Sequence, residues 1–351
     1  MDVKTSTPTS APVENKNKLG LAKADYVGSK STLCIGCGHD SITSHIITAF
    51  YQSSVDPLNV AKLSGIGCSS KTPAYFLNKS HGFNSLHGRM APVATGVHLA
   101  NHKQILIGIS GDGDTASIGL GSFAHMLRRN VPIIYVCENN GVYGLTKGQF
   151  SATAESGSKA KSGMANPFHN IDLCSMAIDM GCEFVARSFS GDPRQLVPLI
   201  DLALRHRGTA FIDVISPCIT FANHEGSSRS FEAVKNHNVQ LQELGFIQPQ
   251  EEIKVNYSEG TTQVVQLPDG SHFTLRKLLS GEHDVTRRDL AMARLQESKA
   301  KGEFLTGLFY WNKDSKPLGD QLNLVDKPLA QLGEETRPSK AALDEILARF
   351  E

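Results

Sequence analysis

Asp112 stands between two glycines, Gly111 and Gly113, and after the intervening residues 114–138 the chain sets Asn139 beside Asn140. Ile105–Ile109 precedes the first motif and Val131–Cys137 the second. Both are continuous apolar runs, as expected of strands buried on two faces. The two motifs should therefore emerge at the carboxyl ends of parallel strands, where open sheets bind their ligands. A carboxylate and an amide oxygen there suit a hard cation such as Mg²⁺, which keeps octahedral positions for phosphate oxygens and water. The flanking glycines let backbone N–H groups approach a phosphate closely.

Cysteine supplies the second signal. Cys34 and Cys37 form a C-x₂-C pair followed by Gly38-His39, Cys68 lies in a run from Gly65 to Lys71, and Cys218 follows Ser216-Pro217. Such a pair binds zinc, ligates an iron–sulfur cluster or does redox chemistry, and spacing alone leaves these readings open. Cys137 falls inside an apolar run, and Cys174 and Cys182 fall in an amphipathic stretch. These three read as small core residues. A third motif, His87-Gly88-Arg89, precedes a helical stretch, where a lone histidine is ordinarily a cap or a surface residue.

The elements that must carry these residues alternate over 29–230. Asp40-Ser41 is placed to cap a helix with Ile42, Ile46, Ala49 and Phe50 on one face. Leu120, Phe123, Ala124 and Leu127 recur at helical spacing. Asp192-Pro193 opens a further helix bearing Leu196, Leu199, Ile200, Ala203 and Leu204, and Thr209–Ile215 reads as a strand. This rhythm predicts an α/β fold, a parallel sheet covered by helices. Residues 151–170 read as a loop. Beyond 250 the pattern changes to a hairpin around Pro268-Asp269-Gly270 and helices over 283–302 and 338–350. The chain thus divides into a flexible arm over 1–28, a ligand-binding α/β domain with helices on both faces over 29–250, and a C-terminal extension over 251–351.

Taken together, Gly-Asp-Gly with Asn-Asn at this spacing is similar to the diphosphate motif of thiamine-diphosphate enzymes. The order of Cys34-Ile-Gly-Cys37-Gly-His39, then Gly65-Ile-Gly-Cys68-Ser-Ser-Lys71, then Ser216-Pro217-Cys218 resembles the β subunits of the 2-oxoacid:ferredoxin oxidoreductases. Tyr143–Gln149 looks like the loop that follows the Asn-Asn motif in the same family. The resemblance covers about residues 29–230. One departure is Gly119-Leu-Gly-Ser122, where the family often has Gly-Gly-Asn-His.

The resemblance implies a thiamine-diphosphate-binding domain. Asp112, Asn140 and the carbonyl of Val142 would hold Mg²⁺, and Cys34, Cys37, Cys68 and Cys218 would ligate one [4Fe–4S] cluster. Ile66, Gly67, Cys68, Ser69, His87, Gly113, Asp114, Gly144 and Leu145 would contact the cofactor. Lys71 and Lys147 are the candidates for holding substrate carboxylates. In that family a 2-oxoacid is decarboxylated, coenzyme A takes the acyl group, and electrons leave through iron–sulfur clusters to ferredoxin. The activating Glu belongs to a separate pyrimidine-binding domain that this chain does not accommodate. A partner α subunit is therefore expected, in an (αβ)₂ heterotetramer. For the substrate, 2-oxoglutarate ranks above pyruvate. The competing readings are a zinc-stabilised binding protein without catalysis and a cluster-free thiamine decarboxylase or synthase subunit.

The totals agree with an enzyme of this kind. Of 351 residues, 40% are hydrophobic, enough for a sizeable core. Lys plus Arg and Asp plus Glu balance at 35 each, which gives no reason to expect binding to nucleic acid or a membrane surface. The sequence contains no long apolar run that would cross a membrane and no secretory signal. A cytoplasmic setting is expected, where seven cysteines would not form a disulfide framework.

Overall fold

The computed structural model of the chain describes residues 15–144, 146, 148–158, 165–218, 251–267 and 272–350. In chain order the main elements are helix α1 (Gly38–Gln52), strand β1 (Val60–Ser64), β2 (His81–Asn84), α2 (Met90–Ala100), β3 (Ile105–Gly111), α3 (Leu120–Arg128) and β4 (Ile133–Asn139). A small ribbon follows, β5 (Val142–Tyr143) with β6 (Gln149–Phe150). Then come α4 (Leu173–Asp179), β7 (Phe184–Phe189), α5 (Pro193–Leu204), β8 (Thr209–Ile215), β9 (Thr262–Gln266), β10 (His272–Lys277), α6 (Arg288–Ala300) and β11 (Glu303–Trp311).

Among these residues one nine-stranded sheet runs in the order β2-β1-β3-β4-β8-β7-β11-β10-β9. The six strands from β2 to β7 are mutually parallel. All of their carboxyl ends therefore open on one edge, and the ligand motifs meet there. β11 joins β7 antiparallel, β10 pairs with β11 in parallel, and β9 closes the row antiparallel to β10. The C-terminal extension thus continues the same sheet. The turn of its expected hairpin, Pro268-Asp269-Gly270, lies outside the described residues.

Side chains alternate across each strand, so each strand feeds two cores. On β4, Ile133, Tyr135 and Cys137 face the layer of α2, α3, α4 and α6, where they meet Met90, Phe123, Leu127, Ile178 and Leu295. Ile134 and Val136 face α1 and α5, with Ile42, Ile46, Phe50, Leu196 and Ile200. Phe50, Phe123 and Phe211 are completely or almost completely buried, and each such ring contributes about 1.5–3 kcal/mol of burial free energy. Cys137, Cys174 and Cys182 are fully buried in the α2–α4 layer.

Two expectations are corrected. α1 begins at Gly38 with Cys37 as its N-cap residue, so Asp40 and Ser41 lie within its first turn and do not cap it. Asp40 nonetheless places an acid in that turn, where the helix dipole favours it. The arm expected over 1–28 is packed from residue 15 onward. Tyr26 is fully buried, its hydroxyl donates to Val55 O at 2.7 Å, and Val27 bridges Phe76. Its polar composition concealed one aromatic anchor; residues 1–14 lie outside the described residues. No helix among the described residues is long and apolar enough to cross a membrane.

Candidate functional site

The carboxyl edge of the sheet holds an open cleft of about 140 Å³. Ile66, Gly67, Cys68 and Ser69 line it from the turn after β1, and His87 lines it from beyond β2. Asp112, Gly113 and Asp114 come from the end of β3, and Asn140, Val142 and Gly144 from the end of β4. The structure therefore brings together these eleven sequence-identified residues. Leu145 and Lys147 lie outside the described residues. Lys71 sits half-buried on the 3₁₀ turn Cys68–Ala74 and does not line the cleft.

Asp112 is buried, and burial raises its carboxyl above the usual range, against hydrogen bonds from Ser151 and Thr153. Thr153 Oγ1 donates at 2.5 Å, Ser151 Oγ donates to the same oxygen, and Asn140 N reaches the other at 3.3 Å. A buried acid with donors on both oxygens is fixed in direction, and a cation beside it restores the ionised form. Asn140 Oδ1 accepts from Val142 N at 3.1 Å, which orients the amide and keeps one lone pair for a metal.

Asp114 lies in a π-helical turn over Gly113–Ile118, a distortion frequent at functional sites. Its carboxylate accepts from Gly88 N at 2.7 Å, from Ser110 Oγ at 2.8 Å, and pairs with His87 Nδ1. Asp114 thereby orients His87 and leaves the imidazole Nε2 for a ligand. Gly65 permits this arrangement, because a Cβ there would lie 2.0 Å from Asp114 Oδ2.

A longer polar line runs from the Asp112 site through the sheet. Thr153 Oγ1 donates to Asn139 Oδ1 at 3.1 Å, and Asn139 Nδ2 donates to Asp213 Oδ1 at 3.0 Å. Arg187, almost fully buried, then bonds both Asp213 and Asp172 at 2.7 Å.

The four sequence-identified cysteines are half-exposed, unlike the three core cysteines. They come from three places: Cys34 and Cys37 before α1, Cys68 after β1 and Cys218 after β8. Burial pushes the Cys37 thiol up, and its electrostatic neighbours include Cys218 and Cys34; burial also raises Cys68, which neighbours Cys34. A Cβ on Gly144 would lie 3.5 Å from Cys68 Sγ and 3.9 Å from Cys218 Sγ, so the absent side chain leaves room against two sulfurs. Among the described residues, no three His, Cys, Asp or Glu are gathered tightly enough to hold one metal ion. A cluster places several irons between its thiolates, so its ligands stand farther apart than those of a single ion. This donor set fits such a group, and coordination would deprotonate thiols that burial keeps neutral.

Sequence reasoning missed several residues here. Ser110, Ser151 and Thr153 carry no motif of their own. Glu138 and His39 also line the cleft. Burial raises Glu138 well above its usual range and lowers His39 to about 4. An acid placed between the apolar run of β4 and the Asn-Asn motif was the available signal for Glu138.

This edge, with its buried acid after one strand and an amide after the next, is the architecture of a thiamine-diphosphate-binding domain. Residues 65–214 match the family model of the thiamine pyrophosphate enzyme C-terminal, TPP-binding domain. The chain is 43% identical over 190 residues to a 2-oxoacid:ferredoxin oxidoreductase subunit beta of Sulfolobus sp, a match covering 54% of this chain and 62% of that one. It is 38% identical over 197 residues to the 2-oxoglutarate synthase subunit KorB of Methanocaldococcus jannaschii, covering 56% and 72%. A solved 2-oxoglutarate:ferredoxin oxidoreductase from Magnetococcus marinus, with 2-oxoglutarate, coenzyme A and succinyl-CoA bound, aligns with a TM-score of 0.71 at 26% identity over 97% of this chain and 100% of that one. The chain belongs to the family of 2-oxoacid:ferredoxin oxidoreductase β subunits.

Proposed function

We propose that this chain is the β subunit of a 2-oxoglutarate:ferredoxin oxidoreductase, which converts 2-oxoglutarate and coenzyme A to succinyl-CoA and CO₂ and passes the electrons to ferredoxin. The observation that carries the reading is the meeting, at one sheet edge, of the Asp112–Asn140 pair with Cys34, Cys37, Cys68 and Cys218. Asp112, Asn140 and the Val142 carbonyl would hold Mg²⁺ against a diphosphate, and the four cysteines would hold a [4Fe–4S] cluster. When bound, thiamine diphosphate supplies the electron sink for decarboxylation, and the cluster accepts the electrons one at a time.

The chain's own residues bind and orient. Asp114 fixes the His87 ring so that Nε2 is the atom left for a diphosphate oxygen. Ser151 and Thr153 fix the direction of the Asp112 carboxylate. Lys147, three residues after Gly144 in the sequence, is proposed to meet the distal carboxylate of the substrate; Lys71, which stands outside the cleft, is not assigned to the substrate.

A partner α subunit is proposed to bring the pyrimidine-binding domain and its Glu, in an (αβ)₂ assembly in the cytoplasm. Ile35 and Leu86, neighbours in sequence of Cys34 and His87, are 63% and 79% exposed. Apolar side chains standing open beside a site suit a covering subunit. The test is a panel of 2-oxoacids assayed anaerobically with coenzyme A and ferredoxin on the assembled enzyme. Turnover highest with 2-oxoglutarate is expected. A preference for pyruvate would move the chain to the pyruvate branch, and CO₂ release without acceptor reduction would remove the oxidoreductase reading.

A further inference from the structure

Glu138 is fully buried on β4, directly after the run Ile133-Ile-Tyr-Val-Cys137. A buried carboxyl is costly unless its oxygens find partners. Here the partners are few and particular. Oε2 accepts from Thr72 Oγ1 at 3.0 Å and stands 3.7 Å from His39 Nε2. Oε1 has no partner. The line extends through His39, whose Nδ1 meets Ser216 Oγ at 2.8 Å.

Each of these partners sits next to a proposed cluster ligand along the chain. Thr72 is on the short turn that begins at Cys68. His39 is two residues after Cys37, and Ser216 is two residues before Cys218. One buried carboxyl on the central strand therefore bonds the segment after Cys68 directly and stands 3.7 Å from the His39–Ser216 pair, which joins the segments of Cys37 and Cys218, beside a cleft that Cys68 also lines.

We propose that Glu138 is a positioning residue for the iron–sulfur centre: through Thr72, His39 and Ser216 it sets where the cysteine-bearing segments stand, and it shapes the polar surroundings that tune the centre. The inference rests on the reading that Cys34, Cys37, Cys68 and Cys218 hold a cluster. Hydrogen bonds and charge around the sulfurs set the potential of such a group.

The experiment uses the assembled enzyme, purified anaerobically, with iron per folded chain and the cluster's midpoint potential as readouts. Glu138→Leu should lose at least half of the iron. The cluster it retains should differ at least tenfold in its reduction equilibrium, about 59 mV for one electron. Glu138→Gln keeps an oxygen for the Thr72 hydroxyl and should restore the iron and most of the potential. If Glu138→Leu does not fold, Thr72→Val and Ser216→Ala each remove one hydrogen bond of the line and should lose iron to a chelator at least threefold faster than wild type. Wild-type iron and potential in Glu138→Leu, or unchanged chelator rates in the two single-bond variants, would overturn the inference alone. A wild-type protein without iron would overturn the parent reading and this one with it.

Discussion

Replacing Gly65 by Ala is expected to damage cofactor binding from a position that makes no polar contact with the cofactor. Gly65 follows β1, and its N–H donates to Ile109 O at 3.0 Å, so its backbone is tied to β3. The added methyl would lie 2.0 Å from Asp114 Oδ2 and 2.9 Å from Ser110 Oγ, whereas ordinary contact begins at 3.4 Å. The carboxylate must therefore retreat by more than an ångström, or the β1 turn must lift. Either movement strains the bonds from Gly88 N and Ser110 Oγ and the pairing that aims His87. Overpacking of this kind costs about 1–3 kcal/mol in stability. If His87 loses one charge-assisted bond to the diphosphate, binding weakens by about 1.5–3 kcal/mol, roughly ten- to a hundredfold in Kd. Calorimetric titration with thiamine diphosphate at saturating Mg²⁺, paired with urea unfolding, measures both. Gly96→Ala on α2 is the control, because a Cβ there meets nothing within 4 Å and a helical Gly→Ala exchange stabilises by up to about 1 kcal/mol. Wild-type affinity in Gly65→Ala, or an equal loss in Gly96→Ala, would refute the chain of reasoning from Gly65 through Asp114 to His87.

Asp112→Ala should abolish Mg²⁺-dependent binding of thiamine diphosphate while circular dichroism stays that of a folded chain, since it deletes the anionic ligand a hard cation requires; unchanged affinity would remove Asp112 from the metal site. Arg187→Met should lower unfolding free energy by about 3–5 kcal/mol, because it strands the carboxylates of Asp213 and Asp172 in the interior, and a loss below 1 kcal/mol in denaturant titration would show that these acids neutralise at little cost. Burial lowers His206 to about 4, so the folded state resists a proton that the unfolded chain takes up near pH 6.5. Stability should therefore be full above pH 6.5 and fall towards pH 4, by about 2 kcal/mol at pH 5 from this group. His206→Phe should flatten that part of the profile, and an unchanged acid limb in thermal melts from pH 7 to 5 would exclude His206 as its source.

The ligand-bearing half of the fold was legible because β3 and β4 open on apolar runs and end in Gly111 and Asn139, so type and boundary coincide. Thr209–Ile215 agrees with β8 to the residue, and Asp192-Pro193 does open α5. β1 was harder to see because Lys62 interrupts its apolar run. Burial lowers that lysine to about 8, and its ammonium caps the Cys68–Ala74 turn by donating to Pro73 O at 2.7 Å and Phe76 O at 2.6 Å. A buried cation satisfied by carbonyls has no signature in spacing. The motifs located Asp112, Asn140, His87 and the four cysteines, because each carries its chemistry in its own side chain. Ser151, Thr153 and Glu138 act by holding another residue, and their partners lie tens of positions away along the chain. Pairing β11 with β7 likewise depends on contacts between distant segments.

The alternation of β4 has a consequence for how the gene can change. Its even positions point Glu138 towards the α1 layer, while its odd positions send Asn139 to the Thr153 and Asp213 line, and Asn140 leaves the last rung for Asp112. One inserted or deleted codon inside Ile133–Asn139 would exchange the two sets at once. Two codons would restore the facing but move every group along the strand by about 6.6–6.8 Å, beyond hydrogen-bonding reach. Length variation in descendants of this sequence should therefore collect in the surface turn before β4 and in the segments beyond β8, with none inside the strand itself.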